Sequence, residues 1–321
     1  MPVRPHRPTR LLLSLALATG SVAGQLEDAP PVDAAVTVRS ATANLVLPCG
    51  TSTTVLADWY FPAVASPTGV VWVQHGFTRS RTNIAALARS IAATTSSIVV
   101  APSISSNFLS LNGCWINGSN MHRAVARMFG DQFSALQASA TSAARTAGAG
   151  RVTLPRRFVL TGHSAGGNLA TAAAGETTRL TSGGASVAVD LAGVVMYDGV
   201  DSGGAIRTGL SRLVGAFDRP VWTIAAPDSS CNASGSGTDA LVAARPGRFV
   251  GVLVTQGSHN DAEGTASTGC GTVLARNVAA LRTLASDWIS AMLAGAPTSA
   301  RLATTSSGAV SLVGDASVIT L

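Results

Sequence analysis

Apolar, β-branched runs alternate along the chain with alanine-rich stretches of helical length. Val36 to Leu47 and Val55 to Tyr60 read as an opening antiparallel pair of strands. Val70 to Val73 is a strand that ends at His75-Gly76-Phe77, and a helix follows from about Asn83 to Ala93. Ile98 to Ala101 is the next strand. A polar loop with Cys114 and Trp115 leads into helical sequence from Met121 to Ala147. Phe158 to Leu160 runs as a strand into Gly162, with Leu169 to Ala174 in the helix behind it. Val194 to Tyr197, Val221 to Ala225 and Phe249 to Val254 are three further strands, and Thr272 to Leu293 is a long closing helix. This order predicts a mostly parallel central sheet with helices on both faces.

Ligands of such sheets bind beyond the carboxyl ends of the strands. The polar residues at those ends are His75, Ser164, Asp198, Asp228 and His259. Gly162-His163-Ser164-Ala165-Gly166 has the form G-x-S-x-G between a strand and a helix. That context predicts a strained turn that exposes the Ser164 hydroxyl, with glycines where a side chain would clash. The Ala165 N–H then stands at a helix N-terminus, aimed at developing negative charge.

A serine hydroxyl needs a base. Of the five histidines, His6 lies near the N-terminus, His163 fills the variable position of the turn, His75 precedes Gly76-Phe77 and His122 opens a helix. His259 remains, on a loop after the last core strand. The base in turn needs an acid to fix its tautomer. Asp198 and Asp228 both keep the chain order Ser, Asp, His. Asp198 ends its strand directly, so a half-buried carboxylate there demands a partner. Asp228 sits among Ser229, Ser230 and Asn232, where aspartate suits a turn for local reasons. Asp198 is therefore the preferred acid and Asp228 the alternative; Asp201 and Asp261 are weaker choices. Val73 to Phe77 reads as an oxyanion turn, with the Phe77 N–H paired with that of Ala165.

Composition narrows the setting. Of 321 residues, 46% are hydrophobic and 12% charged, enough apolar side chain for a large core. Arg4, Arg7 and Arg10, the apolar run Leu11 to Ala18 and the small residues Ser21 to Gly24 form the pattern of an export signal over residues 1–24. The expected layout is that signal, a catalytic domain over 25–295 and a tail over 296–321, the last either weakly ordered or carrying a short strand at Val310 to Val313. Removing three arginines from a net charge of +6 leaves about +3, too little and too scattered to predict nucleic-acid binding. No stable membrane span, metal site or cofactor is expected, and the protein is expected to be a monomer. Four cysteines in an exported chain predict two disulfides among three possible pairings. Asn117 and Asn232 each start an Asn-x-Ser sequon. The loop from Ser105 to Gly118, with Phe108, Leu109, Leu111 and Trp115, is a candidate pocket wall.

With the turn at Ser164, the His75-Gly76 turn and the ordered Asp and His, the sequence resembles the α/β-hydrolase superfamily over roughly Val36 to Leu293. Within it, the chain is similar to the secreted branch of chlorophyllases, platelet-activating-factor acetylhydrolases and cutinase-like polyester hydrolases. The resemblance implies a serine carboxylic-ester hydrolase working through an acyl-enzyme on a small-molecule or polymeric ester. Chlorophyllase-like relatives place the acid after the sixth strand, which favours Asp198; cutinase-like relatives place it after the seventh, which favours Asp228. The latter often carry a disulfide beside the histidine loop, which implies Cys231 with Cys270 and, by remainder, Cys49 with Cys114. A serine peptidase, an acyltransferase or a non-catalytic binding protein on the same scaffold are the alternatives.

Overall fold

The computed structural model describes residues 36–110, 112–182, 184–266 and 269–321. The expected export signal, the chain start near Gln25 and Leu111 lie outside the described residues. Strand β1 (Val38–Leu47) pairs antiparallel with β2 (Thr53–Pro62). Then come β3 (Val70–Gln74), α1 (Ala85–Thr95), β4 (Ile98–Pro102), α2 (Ser119–Met128), α3 (Phe133–Ala147), β5 (Phe158–His163) and α4 (Ala165–Thr177). A short hairpin, β6 (Thr181–Ser182) and β7 (Ala185–Ser186), precedes β8 (Leu191–Tyr197) and α5 (Ala205–Arg212). The chain continues through β9 (Val221–Ala225), α6 (Ser236–Ala244), β10 (Gly251–Val254), α7 (Ala275–Ala294), β11 (Val310–Val313) and β12 (Ala316–Thr320).

The main sheet runs β1-β2-β4-β3-β5-β8-β9-β10-β12-β11. Its six central strands, β4 to β10 in that order, are parallel. They are almost entirely apolar because both faces are covered. Alternate residues face opposite ways: Val70, Trp72, Val194 and Met196 join α2 to α6 on one side. Val71, Val73, Val195 and Tyr197 join α1 and α7 on the other. Trp59, Trp72 and Trp288 are fully buried, each worth about 5 kcal/mol of transfer free energy.

In three places the structure adds to or alters the expected elements. The helical sequence from Met121 to Ala147 is two helices, parted at Gly130. A Cβ there would stand 2.9 Å from Val187 Cγ2, so the chain turns where another segment presses close. Helix α5 contains Gly209, and a Cβ on it would lie 2.3 Å from the Thr171 carbonyl oxygen. The glycine that lets α5 lie on α4 also hides α5 from propensity. Of the two alternatives for the residues beyond 296, the one with a strand at Val310–Val313 is observed. Besides the strand at Val310–Val313 they supply β12, which pairs antiparallel with β10 and extends the sheet.

Candidate active site

Ser164 stands between β5 and α4 with φ 55° and ψ −120°, a conformation that costs an L-residue about 1–3 kcal/mol. Surrounding contacts enforce it. The Ser164 N–H donates to the Tyr197 carbonyl (3.1 Å), and its own carbonyl accepts from Val200 (3.2 Å) and Gly167 (2.9 Å). The glycines are required: a Cβ on Gly162 would lie 2.2 Å from the Gly166 backbone, and one on Gly166 2.4 Å from the Gln74 carbonyl oxygen. The strand–turn–helix is thus wedged against the end of β3.

His259 and Asp198 meet, with Nδ1 to Oδ2 at 2.6 Å and both side chains buried. Asp198 also has positive φ, 49°, held by its N–H to the Ile224 carbonyl (2.9 Å). Its Oδ1 accepts from the Ala226 N–H at 3.1 Å, and Asn232 Nδ2 reaches Oδ2 at 3.1 Å. A carboxylate with this many donors stays aimed at the imidazole. Asp228 is exposed on the next turn, so the structure brings Asp198 and not Asp228 to His259. Asn232, expected only as a sequon and as a turn neighbour of Asp228, is completely buried and spends its amide on Asp198 and on the Pro227 carbonyl. These contacts hold the Asp198 carboxylate in place beside His259.

The β3 loop closes the site from the other side. A Cβ on Gly76 would lie 3.2 Å from Ser164 Cβ, so this loop touches the turn. The Phe77 and Ala165 N–H groups have no protein acceptor among the described residues. His75 is fully buried and fixes the loop: its Nε2 accepts from the Ile104 N–H (3.0 Å), so its proton sits on Nδ1 and is donated to the Gly76 carbonyl (2.7 Å). Phe77 is 40% exposed and meets Trp115 edge to face at 6.5 Å. Phe108 and Leu109 point into solvent, so Trp115 is the aromatic of that loop that contacts Phe77. Cys49 is bonded to Cys114 and Cys231 to Cys270, closing loops worth about 4 kcal/mol each. The second lies next to Asn232, and the Cys270 carbonyl accepts from Ser258 Oγ (2.8 Å) beside His259.

Two buried histidines outside the His259–Asp198 pair set an acid limit on stability. Burial pushes His75 and His122 down to about 4. Unfolded, each would take a proton near pH 6.5, so their contribution is complete above that pH and is lost as pH falls toward 4, on the order of 3 kcal/mol apiece. Asp261 acts oppositely: burial, then the charge of Asp198, raise it to about 6, so its protonation stabilises the fold as pH falls through 6. Two histidines against one carboxyl leave a net loss. Thermal unfolding followed by circular dichroism is expected to show a lower Tm at pH 4.5 than at pH 7, with a smaller drop in His122→Gln. An equal drop in both proteins would contradict this.

The strand order, the turn at Ser164 and the meeting of β3, β8 and β10 loops at the carboxyl edge define the α/β-hydrolase fold. No family model matches the chain, and no curated protein sequence matches it. Among solved structures the chain is similar to EstE1, a thermophilic and thermostable carboxylesterase cloned from a metagenomic library. The TM-score is 0.36 and the identity 18%, and the match covers 50% of this chain and 47% of that one. The chain therefore spans about half the length of that structure. Among the described residues no helix is long and apolar enough to cross a membrane.

Proposed function

We propose that the protein is an exported serine hydrolase acting on carboxylic esters of small molecules, with Ser164, His259 and Asp198 as its triad. The observation that carries this reading is the 2.6 Å contact from His259 Nδ1 to Asp198 Oδ2, on loops that meet the strained serine. With Nδ1 engaged, Nε2 is the nitrogen left to take the Ser164 proton as Oγ attacks the ester carbonyl. The Phe77 and Ala165 amides receive the oxyanion, where preorganised donors are worth most. His259 then returns the proton to the departing alcohol. Water, deprotonated by the same imidazole, releases the acyl group and restores Ser164. The exposed Phe77 ring and Trp115 offer an apolar wall to the substrate. The two disulfides support an oxidising compartment.

A fluorophosphonate probe tests the chemistry directly. Stoichiometric labelling mapped to Ser164 is expected, together with turnover of p-nitrophenyl acetate well above that of peptide p-nitroanilides. Folded wild type that stays unlabelled would overturn the reading.

A further inference from the structure

We infer that His163, the variable residue of the Gly162–Gly166 turn, is a positioning residue: with Glu263 and Arg79 it locks the base-bearing loop onto the nucleophile turn. This rests on the function proposed above.

The x position of G-x-S-x-G carries no requirement of its own in the motif. Here the side chain is only 2% exposed. Its Nε2 lies 2.7 Å from the backbone carbonyl oxygen of His259. A carbonyl only accepts, so Nε2 carries the proton and donates. The two rings stand 4.7 Å apart, tilted by 47°. The residue before the serine thus grips the main chain of the histidine that serves it.

The other end of the ring is also engaged. Nδ1 lies 3.4 Å from Glu263 Oε1, off the line of a hydrogen bond and within ion-pair reach, with both side chains 2% exposed. This edge of the ring therefore faces a carboxylate in a buried site. Burial works against a charged Glu263, but contact with His163 and the Arg79 guanidinium outweigh it and hold the carboxyl below its ordinary value. Arg79 Nε sits 3.0 Å from the same oxygen. Arg79 lies two residues past Phe77, and its N–H donates to the Gly76 carbonyl (3.2 Å).

The chain of contacts therefore starts in the segment bearing the Phe77 amide and passes through Glu263 on the histidine loop. It crosses the serine turn at His163 and ends on His259 itself. Three loops that must agree to a few tenths of an ångström are tied by three side chains distant in sequence. Gly76 is part of the design: a Cβ there would lie 3.1 Å from His163 Nδ1. A loop held at its carbonyl has little freedom to swing the imidazole away from Ser164, and misplacement of this kind costs turnover more than binding.

The test uses the full chain with two substitutions. Glu263→Gln keeps the shape and removes the charge; His163→Phe keeps a ring and removes both nitrogens. Each is expected to lower kcat on p-nitrophenyl acetate at least tenfold while KM stays within twofold. The rate of fluorophosphonate labelling should fall in parallel, with the native circular dichroism spectrum retained. Should either variant fail to fold, Arg79→Gln, at the partly exposed end of the chain, carries the test with an expected loss of about threefold in kcat. Unchanged kcat in a folded variant, or a change confined to KM, would overturn the inference. Wild type that neither labels nor turns over ester would instead defeat the proposed function, so the two failures are distinct.

Discussion

Ser164→Ala is expected to abolish ester turnover, lowering kcat/KM on p-nitrophenyl acetate by roughly 10⁵-fold. On the proposed mechanism, removing the hydroxyl removes the acyl-enzyme route altogether. His259 can then only assist water, which is not held at the carbonyl as a covalently placed oxygen is. On the same proposal, the residual rate is expected from binding and from the Phe77 and Ala165 amides as oxyanion donors. Fold stability should not fall. Ser164 is held at φ 55° by its neighbours rather than by its own side chain, so nothing in its support depends on the hydroxyl. Steady-state kinetics alongside a thermal melt would check both halves. A folded variant keeping more than about a hundredth of the activity would show that another nucleophile operates.

Asp198→Ala is expected to cost about 10³- to 10⁴-fold in kcat, while Asp228→Ala leaves kcat within twofold. Asp198 receives His259 Nδ1, the Ala226 N–H and Asn232. Its loss leaves the imidazole without an orienting acceptor and its charged form without a counter-charge in a buried place. Asp228 is exposed and contacts none of these groups. The pair of variants is therefore its own control: turnover that survives Asp198→Ala and collapses in Asp228→Ala would reverse the assignment. A Tm loss confined to Asp198→Ala would accompany the expected result, because Asn232, still bonded to the Pro227 carbonyl, is left buried with its other amide N–H unmet.

Much of the sheet was legible because parallel strands covered on both faces must be continuously apolar. The strand at Val221–Ala225 was expected at the bounds observed. Helix α7 runs from Ala275 to Ala294, close to the expected Thr272 to Leu293. The elements that escaped were those whose stability is borrowed. Helix α5 exists because Gly209 fits against α4, and β12 because β10 has an open edge to pair with.

Within the candidate site, Ser164 was legible because the turn demands glycines at fixed offsets, and such a local demand is written contiguously. The acid could not be fixed with the same security. Two aspartates ended consecutive strands in the right order, and only packing shows that one is buried against the imidazole while the other faces water. Asn232, His163, Glu263 and Arg79 carried no readable signal. A sequon, a variable position and two ordinary charges look the same whether exposed or buried.

The sequence by itself determined the alternation of strands and helices, the strained serine turn and the set of titratable groups at the strand ends. Those features depend on local sterics and on the two-residue and 3.6-residue periods of the backbone. The tertiary structure alone decided which carboxylate meets His259 and which neutral-looking residues hold that pair in place. Such choices are made between side chains 61 and 184 positions apart, where burial and distance, not spacing along the chain, set the energy of each contact.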